Sequence, residues 1–135
     1  MTILDKIVAA KKETLKDYPT TVEAVSNRKP VPFKQRVEKE ERLGIISEIK
    51  RASPSKGDIN TDMTPAEQAA LYVEGGTTAI SVLTEEKFFK GSLKDLEDVR
   101  RTVDVPILNK DFIIDERQTT DAYNHGADII LLIVT

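Results

Sequence analysis

A chain of 135 residues is long enough for one domain with a real core and short for two. Charged residues make up 32% of it, yet the signs are interspersed, the net charge is only −3, and the one basic cluster, Lys50 to Lys56, is broken by Pro54 and has no interleaved aromatics, which argues against a nucleic-acid partner. With no cysteine, one histidine and no run approaching the ~18 apolar residues of a membrane span, the composition excludes a disulfide framework and a thiolate metal site, disfavours an imidazole metal centre, and reads as a soluble cytoplasmic protein with no membrane partner.

From Thr2 to about Asp17, Ile3, Leu4, Ile7, Val8 and Leu15 fall on one side at helical spacing with lysines opposite, predicting an amphipathic helix. Tyr18, Pro19 and Thr20 end it, and Pro30 and Pro32 keep the following segment irregular. A short helix over about Phe33 to Lys39 then leads into a buried strand, Ile45 to Lys50. Thr64 as N-cap, Pro65 at the first position and Glu67 at the third start a helix that runs to about Val73 and stops at Gly75 and Gly76. A second strand covers Thr78 to Leu83. The next helix begins near Ser92 and turns Leu93, Leu96, Val99 and Val103 inward. Val105 to Lys110 is a third strand, and Asp115 and Gln118 cap a helix ending near His125 and Gly126, where the histidine reads as a helix-end residue at the negative pole. Asp128 to Val134 is the fourth strand.

Strands spaced roughly 23 to 34 residues apart, each but the last followed by a helix, have the spacing of βαβ crossovers, and their near-continuous apolar runs suit a parallel sheet covered on both faces. This predicts an α/β fold, either an open doubly wound sheet or part of a (βα)8 barrel. Chemistry-bearing residues gather at the strand ends. Glu48 and Lys50, two apart, point to one face, and Ser53 follows in a Ser-Pro-Ser-Lys-Gly loop that only loosely resembles a phosphate-handling loop. Strand two leads to Glu85 and to Phe88 and Phe89. Strand three carries Leu108, Lys110 and Phe112 on its inward parity, with Asn109 and Asp111 on the other. Each has a blander reading: Glu48 and Lys50 as a rim ion pair, Lys110 snorkelling into solvent, the phenylalanines as packing.

The runs Ser47-Glu-Ile-Lys-Arg-Ala-Ser-Pro-Ser-Lys-Gly-Asp-Ile, Ser81-Val-Leu-Thr-Glu-Glu-Lys-Phe-Phe-Lys-Gly-Ser, Pro106-Ile-Leu-Asn-Lys-Asp-Phe-Ile-Ile-Asp and Gly126-Ala-Asp-Ile-Ile-Leu-Leu-Ile-Val, in this order, closely resemble the indole-3-glycerol phosphate synthase family. The resemblance implies a TIM (βα)8 barrel with a helical extension, and here an extension over residues 1–44 followed by the first half of the barrel, 45–135, ending at strand four, where a whole barrel needs about 250 residues. The implied reaction is carbon–carbon lyase chemistry of tryptophan biosynthesis. The phosphorylated substrate 1-(2-carboxyphenylamino)-1-deoxyribulose 5-phosphate closes to indole-3-glycerol phosphate with loss of carbon dioxide and water, without metal or organic cofactor. By the match of motifs, Lys110 is the general acid at the ketone, Lys50 the lysine that orients substrate and assists dehydration, and Glu48 the carboxylate that positions them. Ser53 lies near the phosphate end, and Phe89, Phe112 and Leu131 line the pocket for the anthranilate ring. The family's general-base glutamate, a helpful asparagine and the main phosphate groups belong to strands five to eight, so these 135 residues alone are expected to be inactive. They are also expected to cover their open face by forming a homodimer of half-barrels or by associating with the C-terminal half. The competing reading is a non-catalytic, self-associating scaffold or ligand-binding module. A phosphoribosylanthranilate isomerase is disfavoured because it expects an early cysteine.

Overall fold

The computed structural model describes residues 1–59 and 62–134. Thr135, the last residue of the predicted barrel segment, lies outside the described residues.

Helix α1, Ile3–Leu15, starts at a capping box in which the Thr2 hydroxyl accepts from the Asp5 amide and the Asp5 carboxylate accepts from the Thr2 amide. Ile7 and Leu15 are its buried residues, and Lys6, Lys12 and Lys16 are exposed, as the amphipathic pattern predicts. Lys11 departs from that pattern, since its side chain is only 12% exposed and points inward. An irregular strap follows and is held to the last helix of the chain, Tyr18 donating to Asp121 at 2.8 Å and the Val25 amide donating to Asn124 at 2.9 Å. Burial and the Asp121 carboxylate push the Tyr18 phenol well above its usual range. A short helix α2, Phe33–Lys39, ends the strap.

The sheet is built from β1 (Ile46–Ile49), β4 (Ala79–Leu83), β5 (Ile107–Lys110) and β6 (Ile129–Ile130), ordered β1-β4-β5-β6 and parallel throughout. Helices α3 (Pro65–Glu74), α4 (Leu93–Thr102) and α5 (Glu116–Asn124) make the crossovers. Their starts are those the sequence predicts, with Thr64, Ser92 and Asp115 each accepting from a backbone amide of the first turn. All three pack on one face of the sheet, where Ile80, Val82, Ile107, Leu96 and Val99 form the centre of the core, each fully buried. Strand order follows chain order, without the reversal that marks the switch point of a doubly wound sheet.

Three sequence expectations change. Within the parallel sheet only β4 is buried along its whole length; β1 is an edge, and Ile45 and Ile46 are half exposed. The fourth strand, predicted over Asp128 to Val134, pairs only at Ile129 and Ile130, because β6 has a neighbour on one side and that pairing ends at Asn109, leaving residues 131–134 exposed. Between β1 and α3 a small antiparallel hairpin, β2 (Ala52–Ser53) with β3 (Gly57–Asp58), was not foreseen; Gly57 at φ 64 supplies the left-handed residue it needs.

At the N-terminal end of the sheet one carboxylate ties strap, helix and strands together. The Asp128 side chain is completely covered and accepts from Arg28 Nη1 at 2.6 Å, Arg100 Nη1 at 2.7 Å, the Val31 amide at 2.7 Å and the Ile107 amide at 2.8 Å. Removing it strands two guanidiniums and two amides in a covered site, so Asp128→Ala is expected to cost about 3–5 kcal/mol in denaturant unfolding. A loss under about 1 kcal/mol would contradict this account.

Asp115, the N-cap of α5, is held at about 2 by the Arg117 side chain and then by the Arg117 amide. A carboxylate lowered on folding contributes stability that is full above its unfolded value near 3.8 and is lost as pH falls through about 2. Asp115→Asn should therefore flatten the acid limb of the stability curve between about pH 4 and pH 2. Superimposable acid limbs for the two proteins would refute it.

Candidate functional site

The face of the sheet opposite the helices is set by strand parity. Because Glu48 pairs with Ser81, and Leu83 with Lys110, in parallel register, Glu48, Leu83 and Lys110 share that inner face while Ile49, Val82 and Asn109 turn to the helices. Glu48 is the penultimate residue of the edge strand β1. Its backbone is pinned from behind, the Tyr72 hydroxyl donating to the Glu48 carbonyl at 2.8 Å and receiving Gln68 Nε2 at 3.0 Å, both from α3. Sequence reasoning did not single out Tyr72, whose helical spacing marks it only as a packing residue.

The Glu48 carboxylate bridges two lysines. Oε2 accepts from Lys110 Nζ at 2.6 Å, and Oε1 is 3.4 Å from Lys50 Nζ. Two ammonium groups that would repel each other are thus held in one mouth by the single negative charge between them. The three side chains are 30–40% exposed, so the site is open to ligand and solvent rather than sealed.

Beside the charges is an aromatic wall. Phe89 and Phe112 stand with ring centroids 6.1 Å apart at 36°. Phe89 is delivered by the loop after β4, and Glu85 organises that loop: buried, it accepts from the amides of Lys87 at 3.0 Å, Phe88 at 2.7 Å and Phe89 at 3.0 Å. Glu85, a candidate by its place at a strand end, is thereby occupied with backbone. The loop closes on Gly91, where an added Cβ would lie 2.0 Å from the Leu83 carbonyl oxygen, so only glycine fits.

These groups line a cavity of about 120 Å³ together with Lys50, Leu83, Asp111, Leu131 and Ile133. Glu48, Lys50, Phe89, Lys110, Phe112 and Leu131 are therefore brought together as predicted from the sequence. Ser53 is not among them. It is buried in the β2–β3 hairpin, where its hydroxyl accepts from the Lys56 amide at 3.2 Å and closes the turn. Leu83 and Ile133 were missed, although parity could have found them: Leu83 faces Lys110 across the sheet, and Ile133 is two residues beyond Leu131. Among the described residues no group of three or more His, Asp or Glu side chains is arranged to hold a metal ion, and no helix is long and apolar enough to cross a membrane.

A bridging carboxylate, two ammoniums and an aromatic slot can seat an anionic ligand with a flat ring and move a proton at its edge. A model of the indole-3-glycerol phosphate synthase family matches residues 4–135 of this chain. The chain belongs to the indole-3-glycerol phosphate synthase family. It is 50% identical over 136 residues to the indole-3-glycerol phosphate synthase of Oceanobacillus iheyensis, covering 99% of this chain and 52% of that protein. Against the synthase of Rhodococcus jostii it is 46% identical over 140 residues, 99% of this chain and 52% of the relative. Against that of an Arthrobacter species it is 57% identical over 93 residues, 69% of this chain and 34% of the relative. The chain thus spans about half the length of the curated relatives it matches along its whole length. Membership joins this parallel α/β sheet to a TIM-barrel family of lyases in tryptophan biosynthesis.

Proposed function

We propose that residues 45–135 are the first four strands of a (βα)8 barrel, that residues 1–44 are a helical extension clasping it, and that together they carry the lysine side of an indole-3-glycerol phosphate synthase site. The observation that carries this reading is the meeting of Glu48 of β1, Lys50 just after it and Lys110 of β5 against the Phe89–Phe112 wall. In the proposed reaction the anthranilate ring of 1-(2-carboxyphenylamino)-1-deoxyribulose 5-phosphate lies against that wall with Leu131 at its edge. The ring carbon bearing the carboxylate attacks the ketone carbon, and Lys110 Nζ donates its proton to the ketone oxygen as that oxygen becomes a hydroxyl. Loss of carbon dioxide returns the bonding electrons to the ring; Lys50 then protonates the hydroxyl, which leaves as water, and the proton given up by the carbon beside the nitrogen, which completes the indole, passes to the general base of strands five to eight. Glu48 keeps both lysines on the reacting side and retains Lys50 as its counter-charge when Lys110 gives up its proton. Ser53, outside the cavity, is assigned to the loop near the phosphate end.

The 135 residues by themselves would bind but not turn over. The general base and the main phosphate anchor of the family belong to strands five to eight, and a general base alone is worth about 10²- to 10⁴-fold in rate. No indole-3-glycerol phosphate should form in a steady-state assay, against the roughly 10 per second of a median enzyme, while calorimetric titration with the reduced, non-cyclising substrate analogue should saturate and Lys110→Ala should abolish that binding. Turnover within about tenfold of that rate would refute the inactivity. Absence of analogue binding would leave the second reading, a non-catalytic half-barrel scaffold.

Leu131, Leu132, Ile133 and Val134 together with Ile45 and Ile46 expose an apolar rim at the two sheet edges. On the same reading the polypeptide covers this rim with a second copy of itself, as a C2 dimer. Light scattering should give about twice the chain mass at micromolar concentration; a stable monomer removes the dimer.

A further inference from the structure

We propose that Lys11 of α1 is a positioning residue for the site, acting through Asp111 on Lys110 and Phe112; the proposal takes those two as site residues, as above. Ile7, Lys11 and Leu15 recur every four residues and lie on one face, so a lysine occupies the middle of a stripe whose flanking members are the helix's buried residues. Its ammonium meets Asp111 at 2.8 Å, with side chains only 12% and 11% exposed, the most covered lysine ion pair among the described residues. Other lysine pairs, such as Lys16 with Glu13 or Lys94 with Asp98, are solvated and worth little. Placing a charge on a packing stripe costs desolvation that an alkyl side chain would not, so the pair specifies where α1 docks rather than adding net stability.

What it fixes is the turn after β5. Asp111 Oδ1 accepts from the Phe112 amide at 2.7 Å, while Oδ2 takes Lys11 and lies 3.4 Å from the Thr84 hydroxyl. Asp111 also stands between two spaces: it lines the site cavity with Lys110 and Phe112, and the polar cavity behind it with Lys11, Tyr18 and Thr84. With Lys11 present, the carboxylate is held toward α1 and the backbone between Lys110 and Phe112 is clamped. Without it, an almost dry carboxylate has lost its counter-charge and turns toward solvent, and the Phe112 amide loses its acceptor. The Thr84 amide still holds the Lys110 carbonyl and Gln118 the Phe112 carbonyl, but the link between them that sets the Lys110 ammonium and the Phe112 ring relative to each other is lost.

Nuclear Overhauser contacts in the 135-residue protein read this directly. Those between the Phe89 and Phe112 rings, and between the Lys110 ε-protons and the Glu48 γ-protons, are expected to be lost in Lys11→Met and kept in Lys11→Arg. Should Lys11→Met fail to fold, Lys11→Gln, which keeps a polar end without the charge, is expected to give the same loss. Arg28→Met, breaking an ion pair at the far end of the sheet, should lower the thermal midpoint while leaving both contacts in place. Affinity for the reduced substrate analogue should fall about tenfold in Lys11→Met and change less than about threefold in Lys11→Arg. Contacts unchanged in Lys11→Met or Lys11→Gln, with only the midpoint lowered, would overturn the proposal. If the wild-type protein binds no analogue while the contacts respond as stated, the ring-closure reading fails and the positioning role stands.

Discussion

The parallel register of β4 with β1 on one side and β5 on the other is the constraint from which the site follows. Side chains alternate across a strand, so once Glu48 is opposite Ser81 and Lys110 opposite Leu83, a carboxylate from one strand and an ammonium from another must emerge on the same face. A slip of one residue in either pairing would send Glu48 or Lys110 into the helix-covered core, where Ile49, Val82 and Asn109 now sit. The core thus enforces the register: moving fully buried Ile80, Val82 and Ile107 to the open face would expose their apolar area at about 25 cal/mol per Å².

The two ends of the sheet divide the work. At the N-terminal end Asp128 gathers Arg28, Arg100 and two backbone amides into a fully covered junction. At the C-terminal end the charges are left partly open and unequal, two lysines to one carboxylate. The strap and α1 touch both ends, through Arg28 below and Lys11 above, and between them Tyr18 donates to Asp121 and the Glu23 carbonyl accepts from Asn124, both of α5. An extension that would otherwise be a loosely attached helix is registered on the sheet by charges at two separated points, and charge pairs in covered places are poor sources of net stability but strict about geometry.

Loops supply what strands cannot. Glu85 spends its carboxylate on three consecutive amides, and Gly91 lets the chain pass against Leu83, so Phe89 is presented by a loop whose shape is over-determined rather than free. A strand-end carboxylate can therefore shape a cavity by holding the backbone that carries its aromatic wall.

Local chemistry made much of this legible beforehand. The helix starts at Thr64, Ser92 and Asp115, the helical stripe of Ile7 and Leu15, and the convergence of Glu48, Lys50, Phe89, Lys110, Phe112 and Leu131 were read from spacing, capping and a family resemblance, because each depends on residues near one another in the chain or on the two- and four-residue periods of strand and helix. Lys11 was misread as one more solvated lysine, and Tyr72 went unnoticed, because their partners, Asp111 and the Glu48 carbonyl, are 100 and 24 residues away and no local pattern encodes them. The same holds for the fourth strand, cut to Ile129 and Ile130: an apolar run predicts a strand, but it extends only as far as a neighbour pairs with it, here to Asn109. By itself the sequence determined the helices, the four parallel strands, their order and the chemical groups of the site. Tertiary packing alone decided which carboxylate faces which cation, since that choice is made by contacts whose entropy of closure is met only when the whole sheet and its covering helices assemble.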